Sequence, residues 1–149
     1  MNIKNILPPT YLLIAIVSMV ALHFLAPLTS LISFPWNMLG LIPFAIGVGI
    51  NMLADNAFKR ANTTVKPDET STTLITDGVF RLTRNPMYVG FVLILFGIAI
   101  FVGSLSPYLI ILLFPILMEK IFIITEEQML EQTFGNTWLT YKQQVRRWL

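Results

Sequence analysis

Two groups of residues in this chain are of types that could do chemistry. The first is the run Arg84-Asn85-Pro86-Met87-Tyr88-Val89-Gly90. Proline has no N–H to lose at the first position of a helix, so the run reads as a loop-to-helix junction. Its polar side chains and the unpaired N–H groups of the first helical turn then point at one place, where helix dipole and donors together suit the negative end of a ligand. The second group is Glu126-Glu127. Carboxylates next to an apolar segment tend to have a cationic partner. Arg81 and Arg84 are the candidates within the protein, and a cationic ligand is the other. The two groups together offer donors for an anion and carboxylates for a cation. Each also has a plain structural explanation: a Pro-started helix with an interfacial Arg and Tyr, and a solvated helix end.

The elements that must position these residues follow from the charge map. All eighteen charged side chains fall at Lys4, between Asp55 and Arg84, or between Glu119 and Arg147, and residues 5–54 and 86–118 hold none. One bilayer crossing needs about 20 apolar residues, with roughly 17 as the lower limit. Each uncharged block is therefore long enough for two crossings. The expected architecture is all-α and polytopic, with about four transmembrane helices and a C-terminal amphipathic helix. Two hairpins bring every ionisable group except His23 to one membrane face. The ten Lys and Arg residues lie on that face and the opposite loops carry none, so the positive-inside rule puts both termini in the cytoplasm.

Along the chain, Pro8-Pro9-Thr10 opens a first helix over about residues 10–32, with Pro27 as a kink or an early end. Phe34-Pro35-Trp36-Asn37 forms a turn, and a second helix runs from about Met38 to Phe58. Ala61 to Asn85 is polar, with Lys66-Pro67-Asp68-Glu69 and the turn signal Asp77-Gly78. A third helix covers about 87–103, and Gly103 to Pro107 turns the chain back. A fourth helix from Tyr108 runs past the membrane to Phe134, with Gly135 as its stop. Asn136 to Leu149 reads as a last helix with Trp138, Tyr141, Val145 and Trp148 on one face, suited to the membrane interface. On the fourth helix, Glu119 shares a face with Glu126, and Glu127 points about 100° away.

Composition narrows the chemistry. The 149 residues are 55% apolar and 12% charged, against about 25% charged in soluble domains. They fit one domain spanning 1–149. A net charge of +2 without a basic run gives no reason to expect nucleic acid as a partner. There is no cysteine, which removes disulfides and thiolate metal sites. With His23 alone, no metal centre is expected. His23 reads as an inter-helix hydrogen bonder, and Gly47-Val48-Gly49 as close helix packing. The first apolar run is longer than a signal-peptide core and lacks a small-x-small cleavage site, so it reads as a permanent anchor.

The stretches Asn62 to Pro67 and Leu74 to Gly90, followed by Glu126-Glu127, Leu130, Phe134-Gly135, Trp138, Tyr141 and Val145 to Leu149, resemble the isoprenylcysteine carboxyl methyltransferase family. The related phospholipid methyltransferases share the Asn-Pro-Met-Tyr junction and the paired glutamates. The resemblance covers residues 58–149. It implies an integral membrane methyltransferase that binds S-adenosylmethionine at the cytoplasmic face, in a bacterial inner membrane. The acceptor is a lipophilic small molecule or lipid that arrives from the bilayer and is methylated on a carboxyl, amine or thiol group. Carried over by position, Leu74, Gly78, Arg84, Asn85, Pro86, Tyr88, Glu126 and Glu127 hold the cofactor. Arg84, Glu127 and Arg146 are the expected catalytic residues. Arg84 is expected to grip a carboxylate with both arms of its fork, and Arg146 to orient the acceptor. Two positions depart from the isoprenylcysteine enzymes: Asn85 stands where they usually have His, and Phe80 where Tyr is common.

Two other functions compete. Steroid 5-alpha-reductase-like proteins share a similar C-terminal architecture and use NADPH, but they typically place Glu where this chain has Phe91, after Gly90. A non-catalytic membrane bundle would have no need for paired glutamates opposite an Arg-Asn-Pro junction.

Overall fold

The computed structural model describes residues 7–63 and 72–149. Lys4, and the part of the polar segment that holds Lys66-Pro67-Asp68-Glu69, lie outside the described residues. The helices are α1 (Pro8–Leu25), α2 (Leu41–Arg60), α3 (Pro86–Val102), α4 (Tyr108–Met118), α5 (Ile124–Phe134) and α6 (Asn136–Gln144). A 3-10 turn, Trp36–Gly40, leads into α2, and a second, Gly78–Arg81, precedes α3. One π-helical turn, Glu119–Ile123, joins α4 to α5 so that the three form a single rod. Three stretches are long and apolar enough to cross a membrane: Pro8–Leu25, Trp36–Arg60 and Tyr108–Phe134. The 17 residues of α3 are apolar as well. The chain is an all-α polytopic membrane protein.

Helix α3 is the central element. Nine of its residues are buried, whereas α1, α2 and α4 turn many large apolar side chains outward, as lipid-facing helices do. Against α1 and α4 it packs through Leu95 and Ala99, which meet Met19, Phe114 and Met118. Against α2 it packs through glycine. A Cβ on Gly97 would lie 2.6 Å from the Gly40 carbonyl oxygen, and one on Gly47 would lie 2.5 Å from that of Gly90. Gly40 and Gly47 are seven residues apart along the chain, as are Gly90 and Gly97, about two turns, so the backbones touch twice. Small residues let membrane helices approach closely enough to gain dispersion energy, because lipid competes for any looser apolar contact. Gly47 thus packs as expected, whereas a Cβ on Gly49 would meet nothing within 4 Å.

At the end of the bundle away from the charges, the two connecting loops pair. Leu31 N–H donates to Gly103 O at 2.8 Å and Leu105 N–H to Thr29 O at 3.0 Å. Nearby, His23 Nδ1 is 2.9 Å from Ser104 Oγ, so the expected hydrogen bond of His23 joins α1 to the α3–α4 loop and not to another helix. This pairing explains the largest departure from the expected boundaries. The first helix ends at Leu25, not near residue 32, because Pro27 stops it and the chain beyond is extended where it meets Gly103.

The other departure is at the C-terminus. Helix α6 stops at Gln144, and Val145 is extended with φ −123° and ψ 134°. The expected stripe therefore breaks: Trp138 and Tyr141 stay on the helix and are buried in protein, and the last residues turn back toward α3 and α5. Gly135 ends α5 as expected, at φ +50°.

The glycine contacts give a direct check. Gly97→Ala should lower stability by about 1–3 kcal/mol, because the obstructing atoms are backbone and Phe44. Gly49→Ala should change it by less than about 0.5 kcal/mol. Thermal unfolding in detergent compares the two, and equal midpoints would remove the glycine contact from this account.

Candidate functional site

The charged end of the bundle holds a cavity of about 380 Å³, enclosed by the start of α1, the residues before and at the start of α3, and faces of α5 and α6. Such a volume lies within the range of about 300–1,000 Å³ typical of small-ligand sites. Phe58, Leu74, Phe80, Phe91, Met129 and Leu130 form most of its apolar wall. The polar wall is Arg84, Asn85, Glu126, Glu127, Tyr88 and Trp138.

Three local features put these side chains together. Asn85 precedes Pro86 at the N-terminus of α3, which fixes the exit of the loop. Gly78 has φ +57°, and the 3-10 turn that follows is closed by Phe80 N–H to Asp77 O at 3.0 Å. The phenol of Tyr141 donates to Phe80 O at 2.6 Å, which ties α6 to that turn. The junction is then sewn to the C-terminal tail. Arg84 N–H donates to Arg146 O at 3.0 Å, and both Thr83 Oγ1 and Asn85 Nδ2 donate to Arg147 O at 3.0 Å.

The adjacent glutamates have different partners. Glu126 Oε1 accepts from the Tyr88 hydroxyl at 2.7 Å. Glu127 lies between two guanidinium groups. Arg147 forks onto it, Nε to Oε1 at 3.1 Å and Nη2 to Oε2 at 2.7 Å, and Arg84 Nη2 reaches Oε1 at 3.1 Å. The side chains of Arg84 and Glu127 are each only 7% exposed. Arg147 also donates Nη1 to Glu119 Oε1 at 2.6 Å, and Trp148 Nε1 donates to Glu119 Oε2 at 3.1 Å. The Glu127 hydrogen bond is the main cause that holds the Arg147 guanidinium above its ordinary pKa.

Glu119 is in this cluster because of the π turn. On a straight α-helix, residues eight apart sit about 80° out of line. The wider turn at 119–123 takes up that difference and brings Glu119 round to the same guanidinium as Glu127. The expectation that Glu119 shares a face with Glu126 fails for this reason.

Of the two carboxylates expected for the fork of Arg84, the cofactor's or that of Glu126 or Glu127, the second is corrected: the fork on Glu127 belongs to Arg147. Arg84 makes one contact with Glu127 and lies over the Trp138 ring, 5.5 Å from its centroid. Among the described residues, Arg84 Nε and Nη1 and Trp138 Nε1 are buried without a hydrogen-bond partner. An unpartnered buried donor costs about 1–3 kcal/mol, and more on a charged group. Three such donors beside one cavity are a place for an acceptor.

Of the residues expected at the site, Leu74, Arg84, Asn85, Pro86, Tyr88, Glu126 and Glu127 line the cavity. Gly78 does not line it and serves the turn instead, and the Arg146 side chain is exposed and contributes only its carbonyl oxygen. Arg147, Glu119 and Trp138 are the participants the sequence reading missed. One signal was available: three carboxylates beside the membrane call for more than one cationic partner. Among the described residues no group of three or more His, Asp or Glu is placed to hold a metal ion.

An apolar bundle with a buried ionic cluster and a ligand-sized cavity at one end is the build of a polytopic membrane protein with a small-molecule site. The phospholipid methyltransferase family model matches residues 35–137, and the chain belongs to that family. It is 35% identical over 75 residues to the protein-S-isoprenylcysteine O-methyltransferase of Schizosaccharomyces pombe, which covers 48% of this chain and 30% of that protein. It is 36% identical over 63 residues to an uncharacterized protein of Haemophilus influenzae, which covers 42% of this chain and all of that protein. The chain thus spans less than a third of the yeast enzyme's length. No solved structure matches.

The Tyr141–Phe80 bond anchors the site and can be tested by pH. Burial pushes the Tyr141 phenol up to about 12, with Arg84 pulling it the other way. The folded state thus favours the protonated phenol. That stabilisation is complete below the unfolded value of about 10 and is lost as pH rises toward 12. Tyr141→Phe should lower stability by about 1–3 kcal/mol at neutral pH, and the gap to the native protein should shrink between pH 10 and 12. A constant gap in thermal midpoints across that range would mean the phenol does not titrate with folding.

Proposed function

We propose that this protein transfers a methyl group from S-adenosylmethionine to a lipophilic acceptor delivered by the membrane. The single observation that carries the reading is the set of unpartnered donors on Arg84 and Trp138 in the wall of a cavity that also holds Glu126. The residues present fit the cofactor. Arg84, with Trp138 beside it, would take its carboxylate, and Glu126, held by Tyr88, would face its cationic portion. Bound there, S-adenosylmethionine supplies a methyl group on a sulfonium, open to in-line displacement by the acceptor's nucleophile.

The chain's own part is placement and exclusion of water. Phe58, Phe80 and Phe91 keep the cavity apolar, which strengthens the contacts made by Arg84 and Glu126. Fixing two reactants in line removes much of the entropic barrier to a bimolecular step. Leu7, Pro8 and Pro9 of the α1 end also line the cavity, and a lipophilic acceptor would reach it past them. The family and the yeast relative support methyl transfer. The acceptor, whether a lipid or another lipophilic carboxyl, amine or thiol compound, is read out by mass spectrometry of lipid extracts incubated with the protein and methyl-labelled cofactor.

Calorimetric titration with S-adenosylhomocysteine and, in parallel, NADP tests the reading. S-adenosylhomocysteine should bind and NADP should not. Glu126→Gln and Arg84→Lys should each weaken binding by about 10- to 150-fold, the worth of one charge-assisted hydrogen bond. Arg146→Lys should stay within about twofold. Binding of NADP alone would favour a reductase, and binding of neither by folded protein would favour a non-catalytic bundle.

The proposed orientation puts this cavity in the cytoplasm, in a bacterial inner membrane, because the described Lys and Arg residues sit at its end of the bundle. A cysteine at the exposed Leu105 should react with an impermeant maleimide added to intact cells, and one at the exposed Gln143 should not. The reverse pattern would invert the topology.

A further inference from the structure

Arg147 lies beyond residues 35–137, the range shared with the family model. It is not among the residues that line the cavity, yet it makes ionic contacts with two carboxylates, Glu119 and Glu127. We propose that Arg147 is a positioning residue that occupies the forked face of Glu127 and one oxygen of Glu119, and so leaves Arg84 Nε and Nη1 unclaimed for an anionic ligand group. The identity of that group as the cofactor's carboxylate rests on the function proposed above.

Arg84 and Arg147 compete for Glu127. Glu119 and Glu127 come from one rod, and two guanidinium groups meet them, while Glu126 is held by Tyr88. A forked Arg–carboxylate pair is the strongest arrangement open to them. Arg147 makes it, through Nε and Nη2, and among the described residues Oε2 of Glu127 is filled only by Arg147. Arg84 keeps one contact, at 3.1 Å.

Without the Arg147 guanidinium, Oε2 of Glu127 would lose its partner in a place that is 7% exposed, where water is a poor substitute. The near remedy is for Arg84 to turn its own Nε and Nη2 edge onto Glu127. That movement withdraws Nε from any ligand. The tail itself would stay in place, since the Arg146 and Arg147 carbonyls remain bound to Arg84 N–H, Thr83 and Asn85. Loss of the guanidinium would therefore act on Arg84 through Glu127.

This predicts rescue by a second loss. Full-length protein in detergent is titrated with S-adenosylhomocysteine as native chain, Arg147→Met, and Arg147→Met with Glu127→Gln. Arg147→Met should weaken binding about tenfold or more. Adding Glu127→Gln removes the competitor for Arg84 and should recover at least about threefold of the affinity that Arg147→Met loses. A purely structural role for Arg147 predicts instead that Arg147→Met lowers the thermal midpoint while its folded fraction binds like the native chain. If the double variant binds as weakly as Arg147→Met, or if Arg147→Met binds like the native chain, the inference is overturned. Should Arg147→Met not yield folded protein, Arg147→Lys, which keeps the charge without the fork, with and without Glu127→Gln, is judged by the same criterion. Folded native protein that binds no S-adenosylhomocysteine would overturn the proposed cofactor itself, and this inference with it.

Discussion

A single buried carboxylate, Glu127, sets the geometry of the charged end. It is reached from the α3 junction by Arg84 and from the C-terminal tail by Arg147. Removing one member of a buried ionic group costs about 3–5 kcal/mol, because the remaining charges lose compensation where water cannot replace it. The return of the tail after Gln144 brings Arg147 onto that group, and the same guanidinium extends to Glu119. Ionic clusters of this kind are weak sources of net stability but strong selectors of geometry, since few arrangements leave every charge paired.

The apolar end depends on a different force. In lipid, burial of apolar surface between helices gives little advantage, so close contact must come from shape. The Gly40–Gly97 and Gly47–Gly90 contacts bring α2 and α3 backbone to backbone. Gly90 belongs to both systems: it ends the Arg84 to Gly90 junction, and it meets Asn51, whose Nδ2 donates to Gly47 O at 2.9 Å. Helix packing in the membrane and the start of the cavity wall are thereby joined through one turn of α3.

Much of the fold was legible because membrane insertion acts on composition. A block without charge over residues 86–118 can hardly be anything but apolar helices and a turn, and proline and glycine mark the ends at Pro86, Gly103 and Gly135. The cavity wall was partly legible for a similar reason. Tyr88 and Glu126 face each other because each sits near the start of its own helical segment at the same bundle end, a consequence of topology. Gly78 and Arg146 were legible as residues of the junction and tail but not in their local roles, which are a turn conformation and a backbone carbonyl.

The sequence by itself determined the apolar helices, the gathering of charge at one end and the presence of donors and carboxylates there, since these depend on residue type and spacing. Only the tertiary structure decided which cation meets which carboxylate. Helical periodicity assigns Glu119 to the face of Glu126, and one π turn moves it to Glu127. The apolar stripe through Val145 and Trp148 suggests a continuing helix, and three hydrogen bonds from Arg84, Thr83 and Asn85 hold the tail in another path. Both outcomes depend on partners more than 20 residues away in the chain. Local propensity differs by only a few tenths of a kcal/mol per residue, so pairing of buried charge overrides it.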